Sequence, residues 1–115
     1  MAGAATAVPT ALSLDHVGWV ARDMAALRAT LQRLGFSCTE PKPLLAADPA
    51  GGPPRSLQQE SCHVVLGAGY LELSAVSSTD PAHHLAAYRA RGDGLHILAL
   101  GTSDPDAAQA ACRAA

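Results

Sequence analysis

Along residues 14–21 the chain alternates. Leu14, His16, Gly18 and Val20 fall on one side and Asp15, Val17, Trp19 and Ala21 on the other, a period of two that predicts a strand. Asp23 follows as an N-cap whose carboxylate can accept from free backbone N–H groups. Met24, Leu27, Leu31 and Leu34 then repeat at helical spacing, and Gly35 suits the stop. A short strand is expected over 36–39. Residues 40–58 carry Pro41, Pro43, Pro49, Pro53 and Pro54 with Gly51 and Gly52, a density that predicts a long loop. Residues 59–66 and 70–76 read as two strands joined by the hairpin signal Gly67-Ala68-Gly69. Pro81 opens a helix capped by Thr79 or Asp80, edged by Leu85 and Tyr88 and ended by Gly92. Residues 94–100 form a further strand. Asp104-Pro105 then starts a helix that nothing in the sequence ends, so the expectation is a chain cut short in its second half.

Composition narrows this picture. The length of 115 residues suits one small domain. Hydrophobic residues reach 49%, but many are alanine and aromatics are only 3%, so the Leu and Val positions must carry the core. That favours a subunit over a self-sufficient monomer, with a homodimer or other self-association expected. The net charge is −2 and Lys42 is the only lysine, which excludes the positive footprint of a nucleic-acid partner. No apolar run reaches membrane-spanning length, and no membrane partner is expected. Residues 1–13 are expected as a flexible tail without the positive charge of a signal peptide, and the protein as cytoplasmic. Cys38, Cys62 and Cys112 lack CxxC spacing and read as small buried or half-buried thiols.

The chain also repeats itself. Leu14-Asp15-His16-Val17 and Leu95-His96-Ile97 each open a strand with a histidine, then a turn, an aspartate cap and an Ala-rich helix. With Tyr70-Leu71-Glu72-Leu73 in the last strand of the first passage, this order resembles the vicinal oxygen chelate superfamily, and within it the glyoxalase-like domain proteins. The resemblance implies an α+β fold: a βαβββ module over 14–92, the βα start of a second over 93–115, and a curved mixed sheet with helices on its outer face. It also implies metal ligands from the first and last strands of each module. Carried onto this chain, these are His16 and Glu72 from the first module and His96 from the second, with the fourth position beyond Ala115.

The residue types agree with that chemistry. An unpaired buried carboxylate is costly, so the Glu72 face must meet water, a cation or a partner. Neutral imidazoles with carboxylate oxygens suit a divalent Zn, Ni, Fe, Co or Mn ion without choosing among them. Such an ion could grip vicinal oxygens of a small-molecule substrate, and Glu72 could serve as catalytic base. His63 and Tyr70 are candidates for the pocket wall. His83 and His84 are expected to be solvated, and Trp19 to pack. The implied activity is that of a metal-dependent lyase, isomerase or dioxygenase. The alternatives are a metal-free small-molecule binding protein like the antibiotic-sequestering members, and an inactive fragment kept for association.

Overall fold

A computed structural model describes residues 11–115. The elements run β1 (Ala11–Val20), α1 (Met24–Arg33), β2 (Ser37–Cys38), β3 (Lys42–Ala46), β4 (Arg55–Val65), β5 (Tyr70–Val76), α2 (Ala86–Arg91), β6 (Gly94–Thr102) and α3 (Pro105–Ala114). The strands form one curved, open mixed sheet in the order β2-β4-β5-β1-β6, with β3 pairing β4 beside β2. β1 runs parallel to β5 and antiparallel to β6, so the strands of the repeated histidines, His16 and His96, lie side by side.

The caps behave as their chemistry dictates. Asp23 Oδ1 accepts from Ala26 N at 2.9 Å and Asp104 Oδ1 from Ala107 N at 3.0 Å. Gly35, at φ 95°, lets Phe36 N–H reach back to Leu31 O and closes α1. α1 lays Met24, Leu27 and Leu31 onto one face of the sheet, where Met24, Cys62, Val64 and Leu73 form the core and Trp19 packs against it. Leu34, expected on that apolar edge, is exposed.

Several expectations are corrected. The proline-rich stretch is not one long loop, because β3 and the start of β4 lie inside it. Among the described residues β3 pairs only with β4 and is irregular beside Pro43, the edge-and-bulge setting in which a strand tolerates proline. Gln58 takes a left-handed backbone at φ 51° within β4. Regular helix begins at Ala86 rather than Pro81. His83 Nδ1 accepts from Leu85 N, so Nε2 carries the proton and donates to Leu57 O at 3.1 Å. His83 is therefore a clip between α2 and β4 rather than a solvated side chain, whereas His84 is exposed. Cys112 is exposed, while Cys62 is buried and Cys38 half-buried. The expected tail overlaps β1, which opens at Ala11; residues 1–10 lie outside the described residues.

Candidate metal centre

Strand register decides which side chains meet. His16 pairs with Tyr70 and Gly18 with Glu72 across β1 and β5, and His63 pairs with Glu72 across β5 and β4. In-register partners project to the same face, so these residues share the face opposite α1.

Glu72 is held at one oxygen. The Ser74 hydroxyl donates to its Oε1 at 3.2 Å and the Ser61 hydroxyl at 3.4 Å. Behind them, Gln59 Nε2 donates to Ser74 Oγ at 3.4 Å. The other oxygen, Oε2, faces His16 Nε2 at 3.9 Å, beyond hydrogen-bond reach.

His16 is oriented in the same manner. Its Nδ1 lies 2.7 Å from Asp15 Oδ2, and since a carboxylate accepts, Nδ1 carries the proton. In the neutral ring Nε2 is then a bare lone pair directed toward Glu72. Asp15 reaches its neighbour because of a bulge: Leu14 pairs with Leu100 and His16 with Ala99, leaving Asp15 as the extra residue. Tyr70 stacks on His16 at 4.6 Å between centroids, with His63 tilted against it at 4.6 Å. Burial, and after it the charges of Asp15 and Glu72, push the Tyr70 phenol above its ordinary value. Tyr70 is thus a neutral wall beside the pair, and the expected pocket residues His63 and Tyr70 do adjoin it.

A divalent ion fits the pair on donor chemistry. Each ligand bond is roughly 2 Å long, so one ion can touch both an imidazole nitrogen and a carboxylate oxygen about 4 Å apart. A carboxylate on the far ring nitrogen is the usual support of a ligating histidine. His96 is not brought into the same group. A second bulge, between Gly18–Ile97 and Trp19–Leu95, makes it the extra residue of β6. Its ring lies over Gly18, where an added Cβ would stand 2.7 Å from Cε1. There it packs near Tyr88 at 5.6 Å, and its Nδ1 is buried without a partner. Among the described residues no three of His, Cys, Asp and Glu are gathered closely enough to hold one ion. The structure therefore joins His16 to Glu72, with His96 seated over Gly18 close enough to feel the Glu72 charge but completing no three-donor group among the described residues.

Asp15, Ser61 and Ser74 were missed in the sequence. Ser61 and Ser74 had a legible signal, being at even offsets from His63 and Glu72 on strands already expected to pair. Asp15 had none, because the alternation puts it on the opposite face.

Comparison with known proteins agrees with this architecture. The family profile described as a glyoxalase-like domain matches residues 14–115. The chain belongs to the glyoxalase-like domain family, within the vicinal oxygen chelate superfamily. Among solved structures it is similar to methylmalonyl-CoA epimerase from Mycobacterium tuberculosis, with TM-score 0.63 and 22% identity, covering 95% of this chain and 67% of that one. It is also similar to Streptomyces coelicolor methylmalonyl-CoA epimerase in complex with 2-nitronate-propionyl-CoA, with TM-score 0.56 and 20% identity over 90% of this chain and 71% of that one. A methylmalonyl-CoA epimerase in complex with methylmalonyl-CoA and NH4+ matches with TM-score 0.56 and 20% identity, over 90% and 69%. At these identities the likeness is one of fold. No curated protein matches the chain. No helix among the described residues is long and apolar enough to cross a membrane.

Proposed function

We propose that the chain is a metal-dependent enzyme of the lyase or isomerase kind, acting on a small oxygenated substrate. The observation that carries this is the His16–Glu72 pair, 3.9 Å apart with each partner's other polar atom already occupied. His16 Nε2 and Glu72 Oε2 would hold a divalent ion, with His63, in register with Glu72, and His96, seated over Gly18, as the further imidazoles. Such an ion supplies Lewis-acid polarisation of a substrate oxygen. With Oε1 held by Ser61 and Ser74, Glu72 Oε2 could take a proton from a carbon next to that oxygen only when it is released from the ion. Asp15 keeps the His16 tautomer fixed meanwhile, and Tyr70 shields one side of the ring. The cytoplasm is the proposed compartment, in keeping with the free thiols Cys38, Cys62 and Cys112.

The similar solved structures are epimerases of methylmalonyl-CoA, so that thioester is the first substrate to try. The chain, supplied in turn with Zn, Ni, Fe, Co and Mn, is incubated with it in deuterated water. Incorporation of deuterium next to the carbonyl, lost in Glu72→Gln, is the expected result. Exchange that Glu72→Gln leaves unchanged would overturn the role of Glu72. The metal-free binding reading has one observation in its favour, the lack of a third donor beside the pair among the described residues. Tight binding of a small oxygenated molecule, equal with and without chelator, would favour it.

A further inference from the structure

We propose that Gln59 is a positioning residue for the Glu72 carboxylate, acting through the hydroxyl of Ser74; its use to the protein rests on the reading of Glu72 as a metal ligand given above. Gln59 stands on β4 at even offsets from Ser61 and His63, so it shares their face of the sheet. Its side chain is 6% exposed, and Ser74 is fully buried. Three polar atoms surround Ser74 Oγ: Ser61 Oγ at 3.1 Å, Glu72 Oε1 at 3.2 Å and Gln59 Nε2 at 3.4 Å. A serine hydroxyl has one proton to give, so these neighbours decide where that proton points.

With Gln59 Nε2 toward Ser74, the amide donates and the Ser74 proton is left for Glu72 Oε1. Turned over, the amide would present Oε1 and draw the Ser74 proton to itself. That trades a bond to a charged acceptor, roughly twice as strong, for one to a neutral carbonyl. Only the first arrangement runs every proton toward the charge, from Gln59 to Ser74 and from Ser74 to Glu72. The other amide atom gains nothing from burial, because Gln59 Oε1 has no hydrogen-bond partner. A buried unpaired carbonyl is a net cost, which an apolar side chain of the same length would avoid. Packing therefore does not call for glutamine here, and the contact with Ser74 does. The backbone beside it is held as well. Gln58, at φ 51°, accepts at its carbonyl from Ser77 N at 2.9 Å, Ser77 Oγ at 3.1 Å and Ser78 N at 3.3 Å. This strained residue ties the start of the Gln59 segment to the end of β5, which carries Ser74.

A cycle of substitutions in the full chain tests this: wild type, Gln59→Met, Ser74→Ala and the two together. Two quantities are read, the affinity for Co by calorimetry and the carboxyl-carbon resonance of Glu72 in the metal-free chain, assigned with Glu72→Gln. In the presence of Ser74, Gln59→Met should weaken Co binding about fivefold and move the Glu72 resonance. In the Ser74→Ala background it should do neither, because the relay is already cut. Equal effects in both backgrounds, or a Glu72 resonance unmoved by Gln59→Met, would overturn the proposal. A wild type that binds no Co while the resonance behaves as stated would sink the metal reading and leave the hold of Gln59 on Glu72 standing. Should Gln59→Met not fold, the side-chain amide resonances of the native Gln59 serve instead: they should move in Ser74→Ala, and amide resonances indifferent to it would overturn the proposal.

Discussion

A neutral histidine with neither ring nitrogen engaged can take either tautomer; Asp15 removes that freedom from His16 by accepting from Nδ1 at 2.7 Å. Asp15→Asn should therefore leave the fold intact but weaken divalent-metal affinity by about tenfold or more, measured by calorimetry. Unchanged affinity would mean that Asp15 is an ordinary exposed neighbour. His96 answers to a different force. Burial, and after it His84 and His16, holds it below its ordinary 6.5 against the opposite pull of Glu72 and a Gly18 backbone hydrogen bond. The unfolded chain then binds this proton more readily than the folded one. The contribution of His96 to stability is thus present above about pH 6.5 and lost as pH falls from there toward its folded value. Denaturant midpoints at about pH 7.5 and 5.5 should differ less in His96→Asn than they do in the wild type. Equal drops in both proteins would remove His96 as the cause.

The centre depends on two β-bulges at the level of elements. One makes Asp15 the extra residue of β1 and the other makes His96 the extra residue of β6, and each turns a polar side chain off the simple alternation. Gly18 leaves the space that the His96 ring fills, so Gly18→Ala forces the ring aside. That substitution should cost about 1–3 kcal/mol in chemical denaturation and shift the His96 ring resonances. A neutral effect on both would show that the ring is not seated on Gly18. These devices mark the boundary of what the amino-acid pattern discloses. Strand-helix-strand order and the Asp23 and Asp104 caps follow from periodicity, and the nearness of His16 to Glu72 is what the resemblance to the glyoxalase-like domain proteins implies. The bulges do not, because a period of two carries no sign of an inserted residue. β3 was hidden for a related reason: Pro43 reads as a strand breaker, yet a strand paired on one side only has room for it.

At the scale of the whole molecule, β6 ends the sheet and, among the described residues, pairs on one side only, with β1. Leu95, Ile97, Leu98 and Leu100 are all exposed along it, Leu98 at 67%. An apolar edge strand is a template for pairing with another chain. The chain should self-associate, and Leu98→Lys together with Leu100→Lys should shift sedimentation toward monomer without loss of helix or strand signal. A wild-type chain that stays monomeric across a wide concentration range would contradict this.

The direct test of the central claim is a calorimetric titration of the chain with Zn and Co, alongside His16→Ala, Glu72→Gln and His84→Ala. The His16–Glu72 pair predicts one ion per chain in the wild type and in His84→Ala, most of it lost in His16→Ala and Glu72→Gln, and weaker binding as acid protonates the imidazole. Binding that is absent from the wild type, or indifferent to His16 and Glu72, would contradict it.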